Sequence, residues 1–150
     1  MRLVIDTNIL GKLCHPKSPK NQAVAQWFRK ALSNGDYEFY LPEISDYELR
    51  RKLIHLVMTN QAEQTSIERL DQLGEQLDYI PLNTSTLRDA ADLWAQARKS
   101  GQSTASKDSL DGDVILAAQA KEVEGTVLTE NKKHLSRFVE AVAPQDLTGN

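Results

Sequence analysis

The sequence holds a single cysteine, Cys14, so no internal disulfide can form. A chain built without disulfides is expected in a reducing compartment, here the cytoplasm. It lacks any apolar run near the roughly 20 residues that span a bilayer. It also lacks a long apolar segment behind a basic start, so neither a membrane anchor nor a signal peptide is expected. Positive charge is not in excess. The net charge of −3 argues against a domain devoted to coating nucleic acid, since such domains are strongly basic. It leaves open an enzyme that acts on nucleic acid, because a site that gathers metal ions needs carboxylates, and these lower the total. Glycine-rich phosphate loops are missing too: neither G-x-G-x-x-G nor G-x-x-x-x-G-K-[ST] occurs, which counts against a nucleotide-binding enzyme. No repeat, low-complexity tract or linker interrupts the chain.

What is present fits one globular domain over residues 1–150. The chain has 150 residues, 40% of them hydrophobic and 26% charged, enough for a single core. "RLVIDTNIL" opens as a buried strand over residues 3–6. A loop with Pro16 and Pro19 follows, and a helix starts soon after Pro19. Ala23, Val24, Trp27, Phe28, Ala31 and Leu32 recur at helical spacing until Gly35. Residues 38–41 form a short strand, and a long helix runs from Pro42 to about Met58. Ile67, Leu70, Leu73 and Leu77 mark another helix, read as core. Residues 79–82 read as a strand, and Thr84 or Ser85 caps the helix that Gly101 ends. After a polar loop over 100–107, Ser109 or Asp108 caps a helix that stops at Gly125. Residues 126–129 form a strand, a short helix holds Leu135 and Phe138, and 139–142 form a last strand. Strands alternating with helices predict an α/β fold with a mostly parallel sheet. Ligands of such sheets bind at the carboxyl ends of the strands.

Asp6 lies at such an end, and Thr129 and Asn131 follow their own strand in the same way. Asp6 alone could simply close a turn. Glu48 lies inside the helix of "PEISDYELRRKL", where pairing with Lys52 at i+4 is the plain alternative. Asp113 is sharper. In "LDGDVILAAQA" it shares a face with Leu116, Ala117 and Ala120, and a carboxylate on such a face is costly to bury unless it is paired or binds a metal. A first-turn acid favoured by the helix dipole fits Asp111 better than Asp113. Gly112 between them lets another chain or a ligand come close. Together, three convergent carboxylates suit Mg²⁺ or Mn²⁺, hard ions with oxygen ligands. Such ions activate water and steady the leaving oxygen in phosphodiester hydrolysis. Thr7, Asn8, Thr129 and Asn131 are expected to orient the carboxylates or water. Arg51 and Lys132 are candidate contacts for an RNA backbone, and Cys14-His15 reads as incidental.

These blocks together resemble the PIN domain family. "VIDTNIL" is similar to its opening, where the first strand ends in a metal-binding Asp. "LPEISDYELRRKL" resembles its second block, with Glu48 in the acidic place. "DGDVILAAQA" resembles its third, with Asp113, and "VLTENKKHL" its last. The resemblance implies a three-layer α/β/α sandwich with a central, mostly parallel sheet. It also implies a Mg²⁺- or Mn²⁺-dependent endoribonuclease with Asp6, Glu48 and Asp113 as catalytic metal ligands. The size resembles that of VapC-type toxins, which implies an RNA substrate, a small antitoxin partner and a homodimer. The sequence departs from the family where many members carry a fourth acid: Asn131 and His134 stand there. Asp111 is the candidate to supply the missing charge, and the second metal ion is the one this puts in question. The alternative from another class is a non-catalytic PIN-like module that binds RNA or protein. An aspartyl-nucleophile phosphatase ranks far lower, because Asn8 stands where its second acid belongs.

Overall fold

Leu3, Val4 and Ile5 have no exposed surface, because β1 (Arg2–Ile5) is the middle strand of its sheet. The computed structural model describes residues 1–101 and 107–148. Among these, β2 (Glu38–Pro42), β3 (Asp78–Ile80), β4 (Thr126–Leu128) and β5 (Ala141–Val142) complete a five-stranded sheet in the order β3-β2-β1-β4-β5. Every pairing is parallel. Val4 stands beside Tyr40 of β2 on one side and Val127 of β4 on the other.

Period-two alternation divides the strand residues between two cores. Leu3, Ile5, Phe39, Leu41 and Leu128 pack with α1 (Thr7–Cys14), α2 (Gln22–Asn34), α3 (Glu43–Met58) and α4 (Thr65–Gln76). Val4, Ile80 and Val127 pack on the opposite face with Ile44, with Leu116 and Ala120 of α6 (Lys107–Glu122) and with Leu135 of α7 (Lys132–Leu135). α5 (Thr84–Lys99) closes over α6 through Ala90, Ala97, Leu110, Val114 and Ala118. Helices therefore cover both faces, the three-layer sandwich expected. Leu70, Leu73 and Leu77 are core, as read from their spacing.

Three local expectations are corrected. The segment after β1 is not a loop up to Pro19 but begins with the helix α1. Asp6 is its N-cap, with its side chain accepting from the Thr7 amide, and Ile9, Leu10, Leu13 and Cys14 are buried. Eight residues are too few for the apolar period to stand out. α5 is capped by Asn83, not Thr84 or Ser85: Asn83 Oδ1 accepts from the Thr86 amide at 2.8 Å and from its hydroxyl at 3.0 Å. α6 starts at Lys107, so Ser109 lies inside it and Asp111 lies beyond its first turn. Most of the polar loop expected over 100–107 falls on residues 102–106, outside the described residues. A further short helix, α8 (Pro144–Thr148), follows β5, with the Asp146 carboxylate accepting from the Ala143 amide at 3.0 Å.

Chain order reverses at β1: the chain moves outward through β2 and β3, then returns to place β4 on the other side. This reversal opens a crevice at the carboxyl ends of β1 and β4. Among the described residues, no helix is long and apolar enough to cross a membrane.

Candidate active site

Asp6 leaves β1 at that crevice. Its amide continues the ladder by donating to Leu128 O at 3.0 Å, and its residue exposure is 9%. One carboxylate oxygen, Oδ1, accepts from the Thr7 amide at 2.7 Å. The other, Oδ2, accepts from the Thr129 hydroxyl at 2.6 Å. Thr129 is fully buried at the end of β4, and its Oγ also accepts from the Asn131 amide at 2.8 Å. Burial pushes the Asp6 carboxyl up; the bonds from Thr129 and Thr7 oppose this, and the charges of Glu48 and Glu130 reinforce it.

Glu48 projects from the second turn of α3 toward α1. It accepts from the Thr7 hydroxyl at 2.7 Å, so Thr7 links two acids: its amide serves Asp6 and its hydroxyl serves Glu48. No ion pair joins Glu48 to Lys52. On the far side, Glu48 fits into a notch at Gly112, where an added Cβ would lie 2.6 Å from Oε2. The close approach expected at Gly112 is thus made by the Glu48 side chain. Asp113 is the next residue of α6. Burial pushes its carboxyl up to about 6, with the charges of Asp6 and Glu48 adding to the rise and Arg137 opposing it. Three carboxylates from three elements share one electrostatic environment.

They open on a cleft of about 960 Å³. Thr7, Asn8 and Asn131 line it with the acids, and Asn8 Oδ1 is buried without a hydrogen-bond partner. The same cleft is walled by Lys20, Arg51 and Lys52, none of which has a carboxylate partner among the described residues. Arg51 lies over the Tyr47 ring, 5.0 Å from its centroid.

Other residues expected at the site stand elsewhere. Thr129 lies behind Asp6 and does not line the cleft. Asp111 is exposed and outside the lining, because two residues along α6 turn it well away from Asp113. Lys132 is outside the cleft and pairs with Asp146 at 3.1 Å. Cys14 is buried, its thiol pushed up to about 12 chiefly by burial, and it is inert as a nucleophile. His15 is held on both ring nitrogens. Its Nδ1 lies 3.1 Å from Gly11 O and must donate there, and its Nε2 lies 3.0 Å from Ser66 Oγ.

The sequence reading passed over Glu130 and Lys12. They form an ion pair, Glu130 adds to the charge around Asp6, and Lys12 lines the cleft. Their positions are 118 residues apart, and only the β1–β4 pairing brings them together.

The donor set is chemically suited to a hard divalent cation: all oxygen, negatively charged and mutually repelling. Among the described residues, no group of three or more acidic, histidine or cysteine side chains is placed to hold a metal ion. Mg²⁺ keeps several waters and is held by one or two carboxylates together with substrate phosphates.

The model of the PIN domain matches residues 3–140. The chain belongs to the PIN domain family. No curated protein matches this PIN domain. Solved structures similar to it include FitAcB from Neisseria gonorrhoeae, with 23% identity and a TM-score of 0.71 over 95% of this chain and 97% of that one. VapBC2 from Rickettsia felis, bound to a DNA fragment from its promoter, gives 15% identity and a TM-score of 0.69 over 95% and 98%. VapBC-1 from nontypeable Haemophilus influenzae gives 17% and 0.65 over 97% and 99%. At these identities the likeness is one of fold.

Proposed function

We propose that this PIN domain is a Mg²⁺- or Mn²⁺-dependent endoribonuclease that hydrolyses RNA phosphodiester bonds in the cytoplasm. The observation that carries the reading is the convergence of Asp6, Glu48 and Asp113 on one cleft whose wall bears cations without a carboxylate partner among the described residues. Asp6, Glu48 and Asp113 would hold the ion, with Asn8 and Asn131 near enough to the cleft to orient water or ligand. When bound, the ion supplies positive charge to the phosphate oxygens and lowers the pKa of water. The chain's own residues do the rest. Thr129 and Thr7 fix Asp6 and oppose the rise that burial imposes on its carboxyl, Thr7 and Gly112 fix Glu48, and Arg51, Lys52 and Lys20 attract the flanking phosphates. RNA in this cleft would be bound largely by charge.

The proposal extends to the toxin of a toxin–antitoxin pair. Supporting it are the resemblance to VapC-type chains and the fold shared with the VapBC and FitAcB structures. A small antitoxin and a second copy of the chain are the partners proposed. Tyr47, Ile54 and Met58, exposed along α3, are apolar groups that a second copy would cover.

A second reading, a binding module without catalysis, is favoured by one feature: Asn131 and His134 stand where a fourth acid is common in the family. Calorimetry with Mn²⁺ separates the two. The nuclease reading predicts saturable binding that Asp6→Asn abolishes; heat too small to fit in both proteins favours the module.

A further inference from the structure

α3 begins without a cap of its own. Pro42 occupies the N-cap position and makes no side-chain cap bond. The amides of a helix's first turn need partners from outside the helix, and Ile44, at 6% exposure, has little access to water. Its partner comes from α6. Gln119 is fully buried, and its Oε1 accepts from the Ile44 amide at 3.1 Å. Its Nε2 donates to Ile80 O at 2.7 Å. An N–H on one side and a carbonyl on the other fix which end of the carboxamide faces which partner. One residue along, Ser45 is also fully buried and donates from Oγ to Ile5 O at 2.8 Å.

These bonds link the elements that bear the acids. Ile5 directly precedes Asp6. Ser45 precedes Glu48 by three residues, less than one helical turn. Gln119 lies on the helix of Asp113. Neither Gln119 nor Ser45 lines the cleft.

We propose that Gln119 is a positioning residue of the acidic site. Its carboxamide caps α3 from α6 and so sets where Glu48 stands relative to Asp113, while Ser45 holds the same turn to β1. The proposal rests on the reading of Asp6, Glu48 and Asp113 as a metal site. A residue that merely stabilised the fold would lower the melting temperature on replacement and leave the site's affinity unchanged.

The test compares Gln119→Met, a flexible chain of similar length without the two polar atoms, with Gln119→Glu. The buried Glu carboxyl stays protonated at pH 6 and keeps one donor and one acceptor. Mn²⁺ affinity by calorimetry at pH 6 is expected to fall about tenfold in Gln119→Met, the low end of what outer partners of metal ligands contribute, and to stay within about twofold of the parent in Gln119→Glu. A second readout needs no metal: a double-mutant cycle on unfolding between Gln119→Met and Thr7→Val, which removes the hydroxyl bonded to Glu48. Coupling of more than about twofold in the unfolding constant is expected, as for residues sharing one network. Additivity in the cycle, or parental Mn²⁺ affinity in folded Gln119→Met, overturns the proposal. Should the parent itself take no Mn²⁺, the metal-site reading fails, and the cycle alone decides whether Gln119 sets the position of Glu48. Gln119→Leu replaces the Met variant if that one does not fold.

Discussion

Gly112 of α6 and Glu48 of α3 touch so closely that an added methyl would lie 2.6 Å from Glu48 Oε2. The group in the way is the tip of a flexible side chain, so Gly112→Ala need not disturb the backbone. Glu48 would swing aside and lose its bond from Thr7. Alanine also favours the helix by about 0.5–1 kcal/mol over glycine. Gly112→Ala is therefore expected to melt at or above the parent temperature while losing at least about tenfold in Mn²⁺ affinity. Calorimetry beside a thermal melt checks both; parental affinity would show that Glu48 is not needed where it stands.

Thr129→Val removes the hydroxyl that donates to Asp6 and accepts from the Asn131 amide. Leaving a buried carboxylate short of a donor costs about 1.5–3 kcal/mol, the range for bonds to charged groups. Denaturant unfolding at pH 7.5 should register that loss. The variant should also raise the Asp6 carboxyl further and weaken Mn²⁺ binding, whereas Thr129→Ser should restore both.

Asp113 gives a pH signature. Its carboxyl stands at about 6 in the folded chain against 3.8 unperturbed. A group raised in this way contributes stability that is fully present below about 4 and lost as pH rises through about 6. Above that, its half-buried charge is a strain on the metal-free fold. Asp113→Asn should thus melt higher than the parent at pH 7.5, by roughly 2–4 °C if the strain is worth about 1 kcal/mol. The difference should vanish by about pH 4. A lower melt at pH 7.5 would contradict the placement of Asp113 among like charges.

The cationic wall predicts a salt effect. For single strands, each phosphate contact contributes about −0.7 to the slope of log affinity against log salt. With the Asp6→Asn background preventing cleavage, Lys52→Ala and Lys20→Ala should each flatten that slope by about this amount. Lys132→Ala should leave it unchanged, because Lys132 is outside the cleft and paired with Asp146. Filter binding across a salt series reads all three.

The sheet and the three acids were legible because their signals are local. An apolar run ending in Asp6 marks the central strand, and the small apolar face beyond Asp113 marks a helix packed on it. The helix after Asp6 was hidden by its eight-residue length. Asn83 was passed over as the cap because two hydroxyl residues beside it also qualify. The Lys12–Glu130 pair and the capping of α3 by Gln119 join positions far apart in the chain, and only the fold brings them together. Charge alone singled out Arg51 and Lys132 alike. Neighbours decide between them, Arg51 facing the cleft and Lys132 turned to Asp146.

The central claim is best tested by incubating purified chain with a mixed RNA pool, with and without Mn²⁺, beside Asp6→Asn. The account predicts cleavage that requires the metal and disappears in Asp6→Asn. Cleavage that proceeds equally in Asp6→Asn, or without any divalent ion, would contradict it.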